Sequence, residues 1–355
     1  MWQNNRLIDA LLGKNQGATP LWMMRQAGRY LPEYRAVRKG VPHFMELCKD
    51  TDLVAELTLQ PIVRFDLDAA IIFSDILTVV DALGFDLEFV SGHGPVIHDP
   101  VKNRSDLNTV YVAEAVNKLQ YVADAVKKTV RLLEKRVPLI GFAGSPWTVA
   151  CYLVDGKNHR NQFQAIRTMT YQDPELLHEI LALLTQVTIA HLQQQIDAGA
   201  SAIMLFDTWG GILPRHYYQQ FSLDYMQKIA RSLHRVNHLA KVPVIFFTKQ
   251  SGAWLELIAD ADCDAVGLDW TVDLNEAYTR IGHKVALQGN LDPCALLSSP
   301  RAIDAEVARI FAAIPNRSGY VFNLGHGIDK KTPIENVEAL IASVRKYGAG
   351  HQNKG

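Results

Sequence analysis

Two arginines four residues apart, Arg25 and Arg29, bracket Gln26, Ala27 and Gly28 in the stretch MMRQAGRY. Fixed cations beside a glycine make a receptor for something acidic. A guanidinium fork holds a carboxylate through two parallel N–H bonds, and the glycine lets the backbone come close. Other polar residues stand directly after apolar runs: Ser74-Asp75, Ser145 with Tyr152 a little further on, Asp207-Thr208, Lys249, Asp269, Asn290, and His326 between the glycines of NLGHG. Each has a plainer explanation. A Ser-Asp pair after a strand is also what a helix N-cap looks like. Tyr152 fits a core ring with a satisfied hydroxyl. A lone histidine is more often structural than a ligand, and Arg35 and Arg38 read as solvated or paired with an acid such as Glu33. No single residue decides between these readings; convergence at one place would.

Metal and disulfide chemistry lack a signal. Cys48, Cys151, Cys263 and Cys294 are scattered, with no CxxC pair and no HxC spacing, which fits a reduced, cytoplasmic protein. The formal net charge is -1 over 355 residues, so no global field draws the chain to nucleic acid or an anionic membrane. Attraction for an acidic ligand must then come from local cations. The opening MWQNNRLIDALLG lacks the pattern of a signal peptide, and no apolar run approaches the roughly 20 residues a membrane span needs.

The elements that would position these side chains are legible as eight short apolar runs: 19–24, 67–73, 137–143, 201–206, 242–248, 263–269, 284–289 and 319–325. Near-continuous apolarity suits parallel strands buried on both faces. Between them lie stretches of helical periodicity, such as the segment from Pro174 to Gly199 and the one opening at Pro333. Strand–helix alternation predicts a single-domain (β/α)8 TIM barrel over residues 1–348, with its cleft at the C-terminal ends of the strands. A doubly wound open sheet is the alternative, weakened by the lack of GxGxxG after the first strand. A hairpin is expected over 85–98 with Gly92 and Gly94 in its turn, a polar lid over 155–161, and a disordered tail over 349–355. On a barrel, the residues named above as following the apolar runs fall on one rim.

These residues carry a resemblance. PLWMMRQAGRYLPEYR and IGFAGSPWTVACYLVDG resemble the two signature stretches of the uroporphyrinogen decarboxylase family, and LTLQPIVRFDLDAAIIFSDIL, VGLDW, LQGNLDPCAL and NLGHG extend the match from about Asn5 to about Tyr347. The resemblance implies a barrel that pairs as a homodimer and converts uroporphyrinogen III to coproporphyrinogen III without cofactor or metal. It implies substrate contacts at Arg25, Gln26, Ala27, Gly28 and Arg29, at the central Asp75, and at Tyr152 and His326. One position departs from the pattern: Thr208 in LFDTWGG stands where many relatives carry serine, which keeps the hydroxyl.

The implied chemistry suits the residue types. A substrate bearing eight carboxylates needs concentrated cations, and each charge-assisted hydrogen bond contributes roughly 1.5–3 kcal/mol. Loss of CO2 from an acetate needs an electron sink, and a pyrrole protonated on a ring carbon supplies one. An anionic Asp75 beneath the ring would accept pyrrole N–H bonds and face the developing cation, with Arg25 as a further catalytic candidate. The proton donor stays open between solvent, Arg25 and Asp75. Ile71 and Phe73 are candidates for an apolar wall. Two rival readings are a zinc-dependent methyltransferase on the same barrel, which needs a His–Cys cluster, and a non-catalytic tetrapyrrole carrier, which has no need of the aspartate.

Overall fold

Apolar runs of this kind have to bury two faces, and the chain does so by curling one parallel sheet around a set of side chains and wrapping helices outside it. The computed structural model describes residues 2–90, 93–107, 110–157, 163–237 and 240–349. Seven strands form the sheet in chain order: β1 (Ala70–Ile71), β2 (Leu139–Gly144), β3 (Ala202–Asp207), β4 (Val244–Thr248), β5 (Ala265–Gly267), β6 (Ala286–Leu291) and β7 (Tyr320–Leu324). All neighbours are parallel, so their carboxyl ends lie at one end of the sheet.

Among the covering helices are α1 (Thr51–Phe65), α2 (Pro146–Asp155), α3 (Pro174–Asp197), α4 (Pro300–Ala312) and α5 (Ile334–Tyr347). Their starts follow local chemistry. Asp50, Ser145, Asp173 and Ser299 accept the first free N–H groups of α1 to α4, and in the last three a proline follows at the first helical position. Alternate strand residues face opposite ways. One set, including Ile140, Ala202, Met204, Phe206, Ile245, Phe247, Ala265 and Val321, joins Trp22 and Met24 in one cluster, into which Leu7, Ile8 and Leu11 of the short helix Arg6–Leu11 also pack. The other set meets the helices in a larger cluster.

Two expectations need correction. The run 19–24 is no strand: Leu21 alone forms a parallel bridge, with Phe322. Three of its donors are taken by side chains instead. Leu21 N–H goes to Asp68 Oδ2 (2.7 Å), Met23 N–H to Gln26 Oε1 (3.1 Å) and Met24 N–H to Asn323 Oδ1 (2.9 Å), while Pro20 has no N–H to give. The backbone nonetheless lies between its neighbours, Phe322 N–H donating to Pro20 O and Asp68 N–H to Leu21 O, both at 2.9 Å. The second run, 67–73, contributes just Ala70–Ile71.

The expected hairpin forms, Leu87–Val90 against Gly94–Ile97, with Gly94 at a positive φ of 88°. Gly92 lies outside the described residues, as do 158–161 of the expected lid and 350–355 of the tail. At the lid's described start, Asp155 is buried and accepts N–H bonds from Ala165 and Ile166. No helix among the described residues is long and apolar enough to cross a membrane.

Candidate active site

Arg25 follows the bridged segment with φ at 63°, a left-handed conformation that a residue with a β-carbon rarely adopts. Its surroundings impose it. Asn323 holds Met24 N–H, Met24 O accepts from Ile328 N–H (3.0 Å), and Gln26 spans from Met23 N–H to Ala69 O (3.1 Å). Backbone strain so over-determined is a frequent mark of functional sites. Arg25 and Arg29 are both exposed, and neither guanidinium bonds to another described residue.

The rest of RQAGR divides by task. Gln26 is fully buried, its amide spent on Met23 and Ala69 and its carbonyl on Tyr30 Oη (2.8 Å). It holds the loop. Ala27, Gly28 and Arg29 keep N–H groups that find no acceptor among the described residues, so they remain available to an anion. Arg35 and Arg38 donate to backbone carbonyls of Arg29, Tyr30, Val41 and Pro42, while Glu33 takes Arg64 rather than either of them.

Asp75, past the end of β1, is half-buried, and its Oδ1 accepts Leu77 N–H at 2.8 Å. That bond closes a local turn ahead of the helix Thr78–Ala82, whose N-cap is Leu77 without a side-chain cap, and it leaves acceptor capacity unused. Burial pushes the carboxyl above its usual range, with Leu77 N–H and the Arg25 charge pulling the other way. Tyr152 on α2 feels both Asp75 and Arg25, and burial is the main reason its hydroxyl is pushed up to about 12. Trp209 Nε1 donates to Tyr152 Oη at 3.1 Å. His326 is lowered to about 3, first by burial, then by the nearby charges of Arg25 and Lys249. It is a neutral imidazole.

Arg25 is the common neighbour: Asp75, Tyr152 and His326 each feel its charge, and Tyr152 also feels Asp75. Thr208 follows β3 half-buried, and its hydroxyl bonds to no described residue. Ile71 belongs to the cluster inside the sheet's curl, together with Phe142, Phe206 and Phe247. Phe73 packs instead against Tyr34 and Phe44.

Three participants were not chosen from sequence. Lys249 stood in the strand-end series without a role; it lies 5.3 Å above the Trp270 ring and beside His326. Trp209 and Trp270 lay inside the quoted stretches LFDTWGG and VGLDW but were given no role, since their position depends on contacts between distant residues. Among the described residues no group of three His, Cys, Asp or Glu side chains could hold a metal.

Comparison with known proteins follows the same lines. The family model described as uroporphyrinogen decarboxylase (URO-D) matches residues 2–347. A uroporphyrinogen decarboxylase of Coxiella burnetii is 53% identical over 345 residues, covering 97% of this chain and 95% of that protein. Those of Hydrogenovibrio crunogenus and Actinobacillus succinogenes are 51% and 50% identical, covering 96% and 98% of each chain. Among solved structures, a methyltransferase from Methanosarcina mazei superposes with a TM-score of 0.82 over 98% of this chain and all of its own, at 22% identity, a likeness of fold. With the family model and near-full-length relatives in agreement, the chain belongs to the uroporphyrinogen decarboxylase family.

Proposed function

We propose that this chain removes the four acetate carboxyl groups of uroporphyrinogen III as CO2, leaving methyl groups and yielding coproporphyrinogen III. What supports the reading is Asp75, half-buried with spare acceptor capacity and feeling the charge of Arg25, which Tyr152 and His326 also feel.

The substrate is a multiply charged anion, and the rim answers with Arg25, Arg29 and Lys249. Arg25 and Arg29 fork onto side-chain carboxylates, helped by the free N–H groups of Ala27, Gly28 and Arg29. Neutral His326 donates or accepts at a propionate, and Tyr152 and Thr208 offer hydroxyls to carboxylates or the ring edge. Gln26 acts one step back, by shaping the loop.

Each round adds one proton overall. A ring carbon of the pyrrole is protonated, and the nitrogen joins a cationic, iminium-like system. The bond between the acetate methylene and its carboxylate then breaks, its electron pair flowing into that cation as CO2 leaves. Protonation of the methylene gives the methyl group, and loss of the ring-carbon proton restores the pyrrole. Asp75, as the anion, accepts pyrrole N–H bonds and stabilises the cation as it forms. Burial alone would favour its neutral form, and bound N–H donors and Arg25 offset that.

The same reading takes 1–348 as one domain, with the segment around Leu21 as an eighth stave between β7 and β1. Support comes from hydrogen bonds to Phe322 on one side and Asp68 on the other. A cytoplasmic setting is read from the four unpaired cysteines and a homodimer is carried over from the resemblance; light scattering over a range of protein concentrations checks the second. The methyltransferase alternative would need a thiolate cluster that the positions of those cysteines do not offer.

Anaerobic incubation with uroporphyrinogen III, followed by oxidation and a count of carboxyl groups on the products, tests the proposal. Products with four fewer carboxyls support it. Quantitative recovery of unreacted substrate despite tight binding would leave a carrier.

A further inference from the structure

Asp207 ends β3 with its side chain wholly buried, and the groups that face its carboxylate are hydroxyls rather than a cation. Ser145 Oγ (2.6 Å) and Thr148 Oγ1 (2.9 Å) donate to Oδ1; Ser222 Oγ (2.8 Å) and Thr248 Oγ1 (3.3 Å) donate to Oδ2. The four come from the start of α2, the end of β4 and the segment Gln219–Leu223, so one carboxylate ties three parts of the rim together. A buried charge without a counter-ion is costly, and four charge-assisted bonds offset that cost.

One of these hydroxyls leads to the site. Thr148 gives its proton to Asp207, so its oxygen is left to accept, and Trp209 N–H donates to it at 3.1 Å. Trp147 Nε1 holds Trp209 O at 2.9 Å, which fixes the Trp209 backbone at both polar groups. The Trp209 indole, braced by the Phe163 ring at 4.6 Å, then donates to Tyr152 Oη. An oxygen that accepts from one direction sends its own proton in another. We propose that Asp207 is a positioning residue for the decarboxylation: through Thr148 and Trp209 it sets the direction in which Tyr152 presents its hydroxyl to the substrate. The inference rests on reading Tyr152 as a substrate contact.

Glycine at 210 belongs to the same device, because a β-carbon there would collide with the Asp207 carboxylate. An amide at 207 would place N–H donors against hydroxyls that already donate, and the direction of the chain would be lost.

The test is a double-mutant cycle in purified, full-length enzyme, with kcat and KM for uroporphyrinogen III and the melting temperature measured for each variant. Thr148→Val keeps shape and removes the hydroxyl; Thr148→Ser restores it; Trp209→Phe keeps a ring and removes the indole donor. Thr148→Val and Trp209→Phe each lower kcat/KM about tenfold, and Thr148→Ser recovers activity. In a Tyr152→Phe background the same two changes alter kcat/KM less than about twofold, because the group they position is gone. Equal losses in both backgrounds overturn the relay and leave Tyr152 a substrate contact. A silent Tyr152→Phe overturns that contact, and the relay with it. Should Thr148→Val fail to fold, Trp209→Phe completes the cycle alone.

Discussion

The stem of the Arg25 side chain lies directly over Gly327, so close that a β-carbon at 327 would strike it. Gly325 is equally confined, against the Asp269–Trp270 backbone. The glycines of GHG therefore make room, on one side for a guanidinium and on the other for a neighbouring loop, and His326 is held between them.

Gly327→Ala should displace Arg25 while leaving the fold intact, because the clashing atoms belong to a flexible, exposed side chain. We expect KM for uroporphyrinogen to rise about tenfold, the cost of roughly one charge-assisted bond, with kcat changed far less. Arg25→Ala should show the same direction with a larger effect. Steady-state kinetics and a melting curve on each variant check this; a large loss of thermal stability in Gly327→Ala would point to packing instead.

Asp75→Asn keeps the shape and an acceptor oxygen but removes the charge. Unit charges 4 Å apart attract by about 4 kcal/mol at an effective dielectric near 20, so turnover should fall by nearly three decades if that attraction belongs to the transition state. Binding of substrate should change only a few-fold. Single-turnover measurements under anaerobic conditions separate the two, and near-normal turnover would falsify the electrostatic role.

The pH profile follows from the same carboxyl. Burial raises Asp75 above the usual 3.8, and the anion is the working form. As pH falls through that raised value the carboxyl protonates, so kcat/KM should drop on the acid side and hold level above it. In Asp75→Asn this limb should vanish. His326, already lowered to about 3, stays neutral and adds no inflection between about pH 5 and 8. His326→Asn should accordingly raise KM without changing the profile's shape.

Asp68, at the opposite ends of the strands, carries stability rather than chemistry. It is 1% exposed and meets Arg6 (3.2 Å), Arg345 (2.6 Å), Asn4 and Leu21 N–H. Asp68→Ala strips a partner from two partly exposed arginines and a buried N–H, and should cost about 3 kcal/mol. Denaturant unfolding measures it. Because Asp68 also holds the Leu21 segment, residual activity per folded molecule tells whether that segment needs this anchor to place Arg25.

What the sequence determined by itself is the part governed by local pattern. Strands such as β3, β4 and β7 are apolar on both faces, and helices such as α3 announce themselves by period and by an Asp-Pro start; both survive any reasonable packing. The motif residues Arg25, Asp75, Tyr152 and His326 were visible because their types and their places after apolar runs need no partner to be read. Tertiary structure decided the rest, because it turns on groups far apart in the chain. Leu21 became a bridge when Asp68, Gln26 and Asn323 claimed its neighbours' N–H groups and its own. Gln26 turned inward for the same reason, and Arg25 took a left-handed backbone that no local preference would choose. Asp207 looked like one more strand-end acid; only folding set four hydroxyls around it and linked it to Tyr152. Hydrogen bonds between distant residues follow from the way the sheet curls, and a linear pattern carries no record of which donors that packing leaves unpaired.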